Sequence, residues 1–78
     1  MSMITIKLVY VVRKHILEPG TGRELRYEDY AEEFDSEEKA QVFMKQKRRK
    51  FAESLEAMLN DGAKPETIEG RRFEIVPK

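Results

Sequence analysis

From Ile4 to Val12 the chain sets an apolar residue at every even position (Ile4, Ile6, Leu8, Tyr10, Val12), and Val9 and Val11 add two more on the odd face. Alternation this rich in β-branched and aromatic residues predicts a packed strand. Apolar character on both faces predicts a central strand, paired along both edges. The strand continues through Arg13 to Leu17, where Lys14 and His15 predict an end emerging from the core. Glu18-Pro19-Gly20-Thr21-Gly22 then predicts a hairpin turn, because Pro presets φ and the glycines permit positive φ. Arg23 to Phe34 is the return strand. Leu25 and Tyr27 share one parity, whereas Tyr30, Glu32 and Phe34 share the other. A bulge near Glu28-Asp29 reconciles the two sets; the alternative is a strand that ends near Asp29. Its charge marks this strand as an edge.

Asp35-Ser36-Glu37-Glu38 signals a helix start, with Asp35 as N-cap and Glu38 at the third helical position. The spacing predicts a helix from Ser36 to Asn60. Ala40, Phe43, Met44, Phe51, Leu55, Met58 and Leu59 fall on one stripe, with Lys47 at its margin and Val42 on the polar side. Gly62 suits a left-handed helix end, and Pro65 prevents continuation. Arg71 to Val76 is a last short strand, with Phe73 and Ile75 on one face and Arg72, Glu74 and Val76 on the other.

The order strand, strand, helix, strand predicts an α+β fold of ββαβ type. The hairpin makes the first pair antiparallel, and the helical crossover brings the third strand to the other edge of the first. The result is a three-stranded antiparallel sheet in the order 2-1-3, with one long helix packed on one face. Residues 1–78 read as a single domain without repeat or linker. The opposite face is left without a helix, so Val9 and Val11 are expected to be exposed there, as a candidate surface for a homodimer.

Composition narrows the function classes. The chain has 78 residues, no cysteine, and fifteen acids against fifteen bases. So short a chain buries a small core, and no disulfide supplements it. Neither a signal peptide nor an apolar run of membrane-spanning length is evident, which predicts a soluble, cytoplasmic protein. His15 is the only histidine, and Ser2, Ser36 and Ser54 form no set with it. Gly20 and Gly22 precede a strand rather than a helix, unlike a phosphate-cradling loop. The expectation is a non-enzymatic protein without cofactor or metal.

Charge is segregated along the chain. Between Glu24 and Glu38 stand eight acids (Glu24, Glu28, Asp29, Glu32, Glu33, Asp35, Glu37, Glu38) and one base, Arg26. Between Lys39 and Lys50 stand six bases (Lys39, Lys45, Lys47, Arg48, Arg49, Lys50) and no acid. Both stretches read as solvated faces that offset one another. A second reading makes Tyr27, Glu28, Asp29, Tyr30, Glu32 and Glu33 an acidic edge that binds a basic cleft on another protein. The alternative is nucleic-acid contact through Lys45, Arg48, Arg49 and Lys50.

The small size, the lack of a catalytic set, the segregated charge and the sheet-plus-helix layout resemble the small inhibitors carried by phages and mobile elements, the anti-CRISPR proteins among them. That resemblance implies an inhibitor that binds a host nuclease or surveillance complex, often through its nucleic-acid sites. It assigns no residue of this chain. The expectation is therefore a protein-binding module, with nucleic acid as the alternative partner.

Overall fold

The computed structural model describes residues 8–78. Its elements are strand β1 (Tyr10–Leu17), strand β2 (Glu24–Asp29), helix α1 (Glu37–Asn60), a 3-10 turn (Pro65–Thr67) and strand β3 (Gly70–Pro77). The three strands form one antiparallel sheet in the order β2-β1-β3. The fold is α+β, as the pattern of elements predicts.

The central strand lies later than the apolar run. Ile4 to Lys7 fall outside the described residues, and Leu8 and Val9 precede β1, with Leu8 56% exposed. The buried side chains of β1 are Val11, Val12, His15 and Ile16. The expected emergence at Lys14-His15 is thus corrected. Both edges of β1 stay paired through to Leu17, and His15 is only 6% exposed. Val12 and Ile16, with Lys14 between them, face α1, whose Ala40 is fully buried. Register carries the same face across the sheet, since Val12 pairs with Ile75 and Lys14 with Phe73.

The hairpin closes as its residues dictate. Gly20 and Gly22 have φ of 80° and 75°, and Glu18 and Arg23 are joined by a backbone hydrogen bond of 2.7 Å. The bulge is not at Glu28-Asp29. Ile16 pairs with Arg26 and Leu17 with Glu24, so Leu25 is the extra residue. β2 then ends at Asp29. Tyr30 N–H still donates to the Val12 carbonyl at 3.0 Å, and Phe34 then exchanges two backbone hydrogen bonds with Tyr10. Tyr30 and Phe34 both reach the helix, their rings 5.3 and 5.1 Å from that of Phe43.

Ser36, not Asp35, caps α1. Its hydroxyl accepts the Lys39 backbone N–H, and Asp35 instead pairs with the Lys39 ammonium at 3.0 Å. At the other end Ala63 N–H donates to Met58 and Gly62 N–H to Leu59, with Gly62 at φ 94°, a Schellman closure. α1 has 24 residues, ~36 Å of helix, against strands of eight residues spanning ~26 Å. Its last turns therefore overhang the sheet, and Met58 and Leu59 of the apolar stripe are 38% and 40% exposed.

Candidate functional site

Ion pairs consume much of the acidic stretch. Glu28 lies 3.3 Å from Lys14 and 3.6 Å from Arg26. Asp29 accepts from Arg13 at 2.8 Å, and Glu33 contacts Lys78. The Arg13 guanidinium holds the Asp29 carboxyl below the ordinary carboxylate range, and hydrogen bonding to Lys14 does the same for Glu28. The six residues of the expected acidic edge also separate. Tyr27 and Asp29 share the helix-free face, whereas Tyr30 packs against the helix. Glu32 makes no ion pair among the described residues.

The helix-free face is polar where apolar residues were expected. Val11 is 5% exposed, and Val9 is half-buried beside Phe34 and Lys39. The predicted exposed valine strip is corrected, because the face is tiled by charged side chains instead. His15, 6% exposed, sits at its centre. Its Nδ1 meets Glu24, and its Nε2 lies 2.6 Å from Glu74. Arg72 stands 3.7 Å from Glu24 and 3.8 Å from Glu74. The Leu25 bulge makes this possible, since strict alternation from Tyr27 would turn Glu24 to the other face. Each carboxylate takes one ring nitrogen. The oxygens point at the ring rather than at a common centre. Among the described residues no group of three or more metal-ligating side chains could hold an ion.

The helix bases have a different fate. Lys45, Lys47, Arg48, Arg49 and Lys50 make no ion pair with any described residue. The four predicted nucleic-acid contacts do not form one surface. Lys45 and Arg49 share a shallow depression with Val42 and Gln46 on the outward side of α1. Arg48 lies against the Met44 sulfur at 3.8 Å. Only Lys50 turns toward the sheet.

There it lines a groove of about 240 Å³ between one flank of α1 and the sheet. Lys47, Lys50 and Ser54, three and four residues apart, form the helical wall, with Phe51 below. Lys14 on β1, Tyr30 just beyond β2, and Arg71 and Phe73 on β3 line the side toward the sheet. Four cations and three aromatic rings thus converge. Lys47 Nζ lies 5.0 Å from the Phe43 ring, and the Arg71 guanidinium 5.7 Å from that of Phe51. Lys14 is partnered by Glu28, and Arg71 lies 3.8 Å from Glu69, so Lys47 and Lys50 carry the unmatched charge. Lys14, Lys47 and Arg71 were not among the predicted contacts. Strand parity does signal two of them, since Lys14 shares the face of Val12 and Arg71 that of Phe73.

No family model, curated protein or solved structure matches this chain. No helix among the described residues is long and apolar enough to cross a membrane.

Proposed function

We propose that the chain is a non-catalytic module that binds single-stranded nucleic acid in the groove between α1 and the sheet. The observation that carries this reading is the convergence of Lys14, Lys47, Lys50 and Arg71 with Tyr30, Phe51 and Phe73 in one groove. Grooves that hold single strands combine cations along the phosphates with rings against which bases stack. The unmatched ammoniums of Lys47 and Lys50 supply the phosphate contacts. Tyr30, which packs against Phe43 of α1, supplies the ring.

A duplex fits less well, because the remaining helix bases lie on other sides of α1. A protein-binding inhibitor working through an acidic edge is also less favoured. Glu28, Asp29 and Glu33 already have cationic partners, and the edge residues divide between two faces.

Fluorescence anisotropy with a labelled oligothymidylate tests the reading. Lys47→Glu with Lys50→Glu should weaken binding by about tenfold or more at low salt, and affinity should fall steeply with added salt. Lys45→Glu with Arg49→Glu makes the same change in net charge outside the groove and should cost clearly less. Equal losses from both pairs, or no binding at low salt, would overturn it.

A further inference from the structure

The outward side of α1 carries a pattern that neither the sheet nor the groove uses. Val42, Lys45, Arg49, Ala52, Glu56 and Leu59 follow one another at alternating steps of three and four residues, the spacing of a helix–helix seam. All six are exposed, Val42 at 59% and Leu59, at the margin shared with the apolar stripe, at 40%. Read from its two ends the seam sets apolar against apolar (Val42, Leu59), basic against acidic (Lys45, Glu56) and long against small (Arg49, Ala52). Lys45, Arg49, Glu53 and Glu56 have no ion-pair partner among the described residues.

We propose that a second copy of the chain packs on this face, the two α1 helices running antiparallel about a two-fold axis near Lys50-Phe51. In that register Val42 meets the partner's Leu59 and Lys45 meets the partner's Glu56. Arg49 lies over the partner's Ala52 with the partner's Glu53 within reach. A two-fold interface repeats every contact, so each pair forms twice. Ala52 at the centre lets the helices approach closely. The parallel arrangement is disfavoured, because it sets Lys45 against Lys45 and Glu56 against Glu56. Self-complementarity selects a second copy over an unrelated helix. A copy placed here also leaves the flank with Lys47, Lys50 and Ser54 open, so the pairing is independent of the nucleic-acid reading.

Sedimentation velocity over a concentration series at low salt tests it, with circular dichroism to confirm that each variant keeps its helix. The wild-type chain should show a reversible monomer–dimer equilibrium. Lys45→Glu alone and Glu56→Lys alone should each weaken dimerisation by about tenfold or more, and the double exchange should restore most of it. Val42→Asn, at the apolar end of the seam, should weaken it without altering any charge pair. A wild-type chain still monomeric at about 1 mM would overturn the proposal, as would a dimer indifferent to these exchanges.

Discussion

The Lys47 ammonium stands 5.3 Å from the centre of the Tyr30 ring, across the groove that separates α1 from the end of β2. Lys14 approaches the same ring at 5.4 Å from β1. Tyr30 is therefore the point where strand, loop and helix bring positive charge together. Cation–ring attraction holds the Lys47 ammonium there without neutralising it, as a carboxylate would, whereas Lys14 is also paired with Glu28.

Replacing that ring separates its two roles. Tyr30→Leu keeps an apolar contact with Phe43 but removes the stacking surface. Oligonucleotide affinity should fall by about 1–3 kcal/mol, the worth of one stacked base, with little change in salt dependence. Anisotropy titrations at two ionic strengths measure both quantities. An unchanged affinity would remove Tyr30 from the interface.

His15 should matter to stability and not to nucleic-acid binding. His15→Leu leaves Glu24 and Glu74 facing one another across an apolar side chain. A loss of about 1–2 kcal/mol is expected, tempered because both carboxylates are more than two-fifths exposed. Placing Glu24→Gln and Glu74→Gln in the same chain should recover part of it. Urea unfolding of the four combinations gives the coupling directly.

The helix ends yield two further expectations. Ser36→Ala should cost about 1 kcal/mol, and Asp35→Ala distinctly less, because Ser36 makes the capping hydrogen bond. Gly62→Ala should cost a similar ~1 kcal/mol, since its φ of 94° suits only glycine comfortably and no neighbour would clash. Thermal melts rank the three variants.

Acid should weaken the fold through Asp29 and Glu28. Both carboxyls sit below their ordinary range, Asp29 through its hydrogen bond from Arg13 and Glu28 through that from Lys14. A carboxylate depressed in the folded state contributes stability that is complete above its unfolded value and lost as pH falls through the folded one. The loss should therefore set in below about pH 4 and remain small, because both groups are exposed. Asp29→Asn should flatten that decline in urea midpoints measured against pH. A decline equally steep in the variant would assign it to other carboxylates.

Alternation along β1 and β3 made the strand order legible, along with the face each residue takes. Phe73 and Ile75 lie on the helix side, and Arg72 and Glu74 on the other, as their parity requires. Leu25 was not legible as the bulge. One extra residue changes no composition, yet it turns Glu24 onto His15 and adds a second carboxylate to that ring. The groove was partly legible. Lys47 stood at the margin of the apolar stripe, but its neighbours Lys14, Tyr30 and Arg71 come from three other segments. Only the register of the sheet brings them together. Charge runs counted along the chain placed the bases correctly on α1 but could not say which side of the helix each would take.

The most direct test of the nucleic-acid reading is a titration of the ¹⁵N-labelled chain with single-stranded oligothymidylate, followed by amide chemical shifts. The account predicts that the largest changes fall on Lys14, Tyr30, Lys47, Lys50, Phe51 and Arg71, with Lys45, Gln46 and Arg49 little affected. Changes centred on the outward face of α1, or on Glu32 and Glu33, would contradict it.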